Sequence, residues 1–150
     1  VPLTPKQFLG YGIGERFTPH HRAVAYAEEM ARRFPKQIKL LPYGQTYEGR
    51  PLLAVAVASE ANLARLDDIR QNNLRRIGLL DGNVVNAPSP AISWISYNVH
   101  GNEAVSTEAF FDVLHGLLDP ANALSQKILA NSVVILDPDL NPDGHDRYVN

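Results

Sequence analysis

The stretch Ala91–Val99 constrains the fold more than any other. Read as a strand, it places Ile92 and Trp94 on one face and Ile95, Tyr97 and Val99 on the other. A strand apolar on both faces needs a layer on each side, so it is expected to run buried within a sheet covered by helices. Pro88-Ser89-Pro90 lead into it, and Asn98-Val99-His100-Gly101-Asn102-Glu103 lead out of it into a helical pattern, with Thr107, Phe110, Phe111, Leu114 and Leu118 in register.

The flanking segments supply those layers. Val24, Ala27, Ala31 and Phe34 recur at helical spacing behind Thr18-Pro19, an N-cap followed by a first-turn proline. Residues 36–41 and 52–58 read as antiparallel strands with a Pro42-Tyr43-Gly44 turn between them. Ser59 caps a second helix carrying Leu63, Leu66, Ile69, Leu74 and Ile77, which Gly78 breaks. Asp119-Pro120 open one more helix to about Ala130, Val133–Leu136 is a short apolar strand, and 137–144 read as loop chemistry. Alternating strands and helices predict an α/β fold, a three-layer α/β/α sandwich with a mixed sheet over 18–150. Residues 1–17, with glycines at 10, 12 and 14, are expected to be an N-terminal arm.

Composition narrows the function. With 150 residues, a net charge of −2 and 20% charged residues, the chain has no basic footprint for nucleic acid. Its longest apolar run, 52–58, is far short of the roughly 20 residues a membrane-spanning helix needs. The absence of cysteine removes thiolate nucleophiles and cysteine-based zinc sites, so a metal here must use His, Asp or Glu.

Such a site is offered where the strand at 91–99 ends, since ligand sites in α/β sheets lie beyond the carboxyl ends of strands. His100 and Glu103, three residues apart across a turn, place an imidazole and a carboxylate within reach of one cation such as zinc. A structural histidine satisfied near a helix N-terminus is the plainer reading of the same spacing. Gly101 is expected to relieve the turn, and Asn102 to tolerate a positive φ. Asn141-Pro142-Asp143-Gly144 follows another apolar strand at the same rim and reads by composition as a turn; Glu48-Gly49-Arg50 reads as a connection with an i,i+2 charge pair. His20 and His21 are expected to face solvent in a first helical turn.

Taken together, Glu48-Gly49-Arg50-Pro51-Leu52, His100-Gly101-Asn102-Glu103 and Asn141-Pro142-Asp143-Gly144 resemble, in order and spacing, the zinc carboxypeptidase family (the M14 metallopeptidases) in its H-G-N-E branch. The resemblance implies the N-terminal half of a zinc-exopeptidase-like sandwich. It also implies a peptidase that removes C-terminal residues from peptides or proteins with a zinc-activated water, acting in a secreted or periplasmic setting. His100 and Glu103 would be two of the three Zn2+ ligands. The third histidine, the general-base glutamate and the arginines that grip the terminal carboxylate fall after Asn150 in the family's pattern. No catalytic residue is therefore assigned within the chain, which is expected to be inactive by itself. Arg147 stands too close to N-P-D-G to take an arginine's role, and Asn102 replaces the arginine that some members carry there.

H-G-N-E alone is also similar to N-acyl amino-acid hydrolases of the aspartoacylase and succinylglutamate desuccinylase type, against which the other two segments argue. A non-catalytic carboxypeptidase-like peptide-binding module is the reading from another class. A stand-alone metal protein would need a third ligand within the chain, for which His145 is the candidate. The chain begins on Val1 rather than Met, and is expected to be processed or cut from something longer. A sheet cut midway would leave the strand near 133–136 with an open edge and a tendency to self-associate.

Overall fold

The computed structural model describes residues 1–86 and 89–150; Pro88, expected in the approach to the strand at 91, lies outside them. Four strands form one mixed sheet: β1 (Ile38–Gln45), β2 (Pro51–Val57), β3 (Ala91–Ser96) and β4 (Ser132–Asp137), in the order β1-β2-β4-β3. The β1–β2 and β2–β4 pairs are antiparallel, and β3–β4 is parallel. Seven helices accompany them among the described residues: α1 (Pro5–Leu9), α2 (His20–Arg33), α3 (Glu60–Leu63), α4 (Leu66–Arg76), α5 (Ala104–Leu118), α6 (Ala123–Asn131) and α7 (Pro142–Val149).

The period-two alternation of the strands sorts the layers. Leu53, Val55 and Val57 of β2 and Val134 and Leu136 of β4 point into the larger core, against Tyr26 and Met30 of α2 and Phe110, Phe111 and Leu114 of α5. Ala56 of β2 and Val133 of β4 point the other way, toward Ile69 of α4. Helices on both faces of a mixed sheet give the expected three-layer sandwich. An aromatic chain runs through the larger core, with ring centroids 5.1 Å apart for Tyr26–Phe111, 5.7 Å for Phe110–Phe111 and 6.1 Å for Tyr97–Phe110. Removing a fully buried phenylalanine of this kind costs about 3–5 kcal/mol.

Local chemistry departs from the sequence reading in several places. The expected arm holds α1, closed by a capping box between Thr4 and Gln7, and Leu9 is buried in the larger core. Pro42–Gly44 is not the turn: β1 runs through it with a register shift between Pro42 and Gly44, so the proline meets the ladder only at an irregularity. The helix after Ser59 is two, broken between α3 and α4, although Ser59 does cap the first by accepting from Asn62 N–H. Asn122 rather than Asp119 caps α6. Residues 142–149 are helical because Asn141 caps them and Pro142 takes the first turn, where a missing N–H costs nothing.

The sheet order corrects two further expectations. The strand at 133–136 is interior, flanked by β2 and β3, so it is not an open edge. The strand at 91–96 is an edge, as is β1: Trp94 is 59% and Ile95 41% exposed. The pattern predicting burial on both faces is present, but β4 takes only one of its hydrogen-bonding sides and no described strand takes the other.

Candidate metal centre

Because β3 and β4 are parallel, both deliver their carboxyl ends to the same rim, and the chains leaving them are tied together. Tyr97 N–H donates to Asp137 O at 3.0 Å and Leu140 N–H to Tyr97 O at 2.9 Å. The next residue, Asn98, turns the chain out of the strand with φ 54°, the one positive φ outside glycine among the described residues. Asparagine tolerates that region better than most residues, and the positive φ expected at Asn102 falls here instead. Asn98 N–H donates to Ser106 Oγ at 2.6 Å, and its side-chain amide donates to Asp139 Oδ1 at 2.8 Å.

His100 and Glu103 follow on the exposed side of this turn. His100 Nδ1 lies 3.1 Å from Glu103 Oε1, while His100 N–H donates to Glu103 Oε2 at 2.9 Å. The two His100 contacts, the backbone one foremost, hold the Glu103 carboxyl below its usual range. Zinc bonds of about 2.0–2.2 Å in tetrahedral geometry put neighbouring ligand atoms about 3.3 Å apart, so the Nδ1 and Oε1 atoms are spaced to share one ion. The donor set is right for zinc and incomplete for it. Among the described residues no group of three or more His, Cys, Asp or Glu side chains could hold a metal.

The structure draws the three sequence segments together. Arg50 donates through Nε to Asp146 Oδ2 at 2.6 Å, and through Nη1 to Asp143 Oδ1 at 2.7 Å and Glu48 Oε2 at 2.5 Å. The expected Glu48–Arg50 pair is thus one arm of a network that binds the β1–β2 connection to α7. Thr46 Oγ1 adds a bond to Asp143 Oδ1 at 2.7 Å. Arg147 turns outward and pairs with Glu48. From the other side Gly101 packs directly on Gly144: a Cβ on Gly101 would lie 2.3 Å from the Gly144 carbonyl carbon. Gly101 is needed for this close approach rather than for a special φ.

A buried polar cluster lies beneath, and sequence reasoning missed it. His20, expected in solvent, is 2% exposed. Its Nε2 faces Pro51 O at 2.8 Å and its Nδ1 faces Asp139 Oδ2 at 3.1 Å. Two acceptors on one ring call for a proton on each nitrogen. Burial works to lower the His20 pKa, but the hydrogen bond and charge of Asp139, together with the Pro51 carbonyl and the charge of Asp146, outweigh it and hold it above its ordinary value. His145 is fully buried rather than poised at the rim, with Nδ1 2.6 Å from the same Asp139 oxygen. It does not join His100 and Glu103. Asp139 is itself buried; burial alone would raise its carboxyl, yet the bonds from His145, His20 and Asn98 bring it below the usual range. The signal available in the sequence was polar residues at the ends of apolar strands, Asn98 after β3 and Asp139 after β4.

Comparison with solved structures shows the same fold in carboxypeptidases. The chain superposes on thrombin activatable fibrinolysis inhibitor with a TM-score of 0.67 at 15% identity, covering 98% of this chain and 29% of that one. It matches carboxypeptidase A from Helicoverpa armigera at 0.63 and 19%, covering 89% and 28%, and a metallo-carboxypeptidase from Burkholderia cenocepacia at 0.60 and 18%, covering 89% and 29%. The chain therefore spans less than a third of the length of each. No curated protein sequence matches it. The sequence model of the family described as zinc carboxypeptidase matches residues 23–150, and the chain belongs to that family.

Proposed function

We propose that the chain is the N-terminal part of the catalytic domain of a zinc metallocarboxypeptidase acting on peptide or protein C-termini, with His100 and Glu103 as two of its three metal ligands. The observation that carries this is the 3.1 Å approach of His100 Nδ1 and Glu103 Oε1 at the rim where Gly101 abuts Gly144 and Arg50 anchors α7. When bound, zinc supplies a Lewis acid that polarises a peptide carbonyl and activates water at neutral pH.

His100 and Glu103 would hold that ion. Glu103 sits at the N-terminus of α5, where the helix dipole favours a carboxylate, and its second oxygen is held by the His100 amide, which fixes the carboxylate plane. On this reading, the side chains that would take up the water's proton and grip the substrate's terminal carboxylate are not among the residues assigned in this chain. The chain by itself is accordingly expected to bind zinc weakly and to release no C-terminal residues, because two ligands leave half the coordination sphere to solvent.

A zinc titration of the chain by calorimetry and by imidazole NMR, with His100→Ala as the control, tests the assignment. Weak binding with zinc-induced shifts at His100, lost in the variant, is the expected result. Binding that His100→Ala leaves unchanged, or no binding by the unaltered chain, overturns it.

A further inference from the structure

We propose that Asn98 and Asp139 are positioning residues for the turn that carries His100 and Glu103. The consequence for zinc rests on the metal assignment above; the ordering of the turn does not.

Asp139 is fixed before Asn98 reaches it. Its Oδ2 meets His145 Nδ1 at 2.6 Å and His20 Nδ1 at 3.1 Å, so the last helix and the start of α2 both grip one oxygen. His20 is held in turn, its backbone N–H donating to Asp146 Oδ1 at 3.0 Å and its Nε2 meeting Pro51 O at 2.8 Å. A buried carboxylate with partners in three directions has no freedom to rotate, and such a network rigidifies what it touches. The remaining oxygen, Oδ1, accepts from the Asn98 amide at 2.8 Å.

Asn98 transmits that fixed point to the metal-binding turn. It sits two residues before His100 in the left-handed region, where its backbone direction decides how the chain leaves β3. Its own N–H is tied to Ser106 Oγ on α5, and Ser106 Oγ in turn donates to Glu103 O at 2.8 Å. The segment 99–105, which contains both proposed ligands, is therefore clamped at its two ends, by buried Asp139 on one side and by α5 on the other. Hydrogen-bond partners that orient a ligand without touching the metal typically alter affinity by about 10–100-fold when removed.

The test uses Asn98→Gly, which keeps the positive φ available and deletes the side-chain tether while also loosening the backbone, and the exchange Asn98→Asp with Asp139→Asn, which restores a donor–acceptor pair with the roles reversed. In the metal-free chain, the heteronuclear NOE of the amides from 99 to 103 should fall in Asn98→Gly and recover in the exchange, with the amide shifts of the larger core unmoved. Zinc affinity should drop about tenfold in Asn98→Gly and return in the exchange. An ordered turn in Asn98→Gly overturns the proposal, as does an undiminished affinity. Asn98→Ala removes the same tether without the added freedom of glycine; it is read by the same two measurements and stands in for Asn98→Gly if that variant fails to fold. Zinc binding that ignores His100 in the unaltered chain sinks the metal assignment, and the NOE measurement then decides the positioning role by itself.

Discussion

Gly101 and Gly144 touch backbone to backbone: a Cβ built on Gly101 would lie 2.3 Å from the carbonyl carbon and 2.4 Å from the carbonyl oxygen of Gly144. Nothing flexible stands in the way that could swing aside, so Gly101→Ala must push the turn off the start of α7. We expect a loss of about 3 kcal/mol, the upper end of what overpacking costs. Gly116, inside α5 with nothing within 4 Å of its would-be Cβ, is the opposite case. There the alanine should stabilise by about 0.5–1 kcal/mol, because a helical glycine wastes chain entropy. Urea unfolding of the two variants checks both signs at once.

Arg50 gathers three carboxylates that would otherwise repel one another. It is the common partner of Glu48, Asp143 and Asp146, and its planar fork reaches the three through two nitrogens of one side chain, Nε to Asp146 and Nη1 to Asp143 and Glu48. Arg50→Lys supplies the charge without the fork. With the Arg50 side chain 27% exposed, solvent screens part of the network. The expected loss is about 1–2 kcal/mol, below that of a fully buried charged pair. Because screening acts on exposed charges, the difference between the two proteins should narrow from 0.1 M to 1 M NaCl. An Arg50→Lys variant as stable as the original at low salt would show that the contacts contribute nothing.

Most of the layer order was legible because it rests on periodicity. The β2 run from Leu52 alternates between two cores, and α5 presents Phe110, Phe111 and Leu114 on one face, as spacing alone predicts. What escaped were features decided by non-local partners. His20 looks like a first-turn histidine until Asp139, which is 119 positions away, closes on it. N-P-D-G is turn chemistry and helix-start chemistry at once, and only the Asn141 cap on Gly144 N–H distinguishes them. Which strand stands at the edge depends on sheet order, and no local pattern around Trp94 or Val133 carries that information.

The uncovered side of β3 is the place where we expect chains to meet. Trp94 and Ile95 expose apolar surface along a strand edge that no described strand pairs, and natural edges of this kind invite pairing unless charge or proline blocks them. Trp94 is the single tryptophan, so its fluorescence reports on this edge alone. Its emission should move to shorter wavelength as protein concentration rises, in step with growth in mass by light scattering. Ile95→Lys should abolish both changes. A monomer at every concentration, with unchanged emission, would count against pairing at β3.

His20 sets the sign of a pH dependence. Its folded pKa is raised above the ordinary 6.5, so the folded chain holds this proton more tightly than the unfolded one. Its contribution is complete below about pH 6.5 and is lost as pH rises through the folded value. Asp139 behaves oppositely: its folded pKa lies below the ordinary 3.8, so its contribution is present above that value and fades as pH falls further. The pair therefore stabilises most between about pH 4 and 6.5, with Asp146 and the Pro51 carbonyl as the other groups bonded to His20 and His145 sharing the Asp139 oxygen. Glutamine at position 20 can still donate a hydrogen bond but carries no charge. The stability difference between the unaltered chain and His20→Gln, taken from urea unfolding at pH 5.5, 6.5, 7.5 and 8.5, should shrink steadily on the alkaline side. A difference independent of pH would mean that His20 is neutral in the fold, and that the proton between it and Asp139 sits elsewhere.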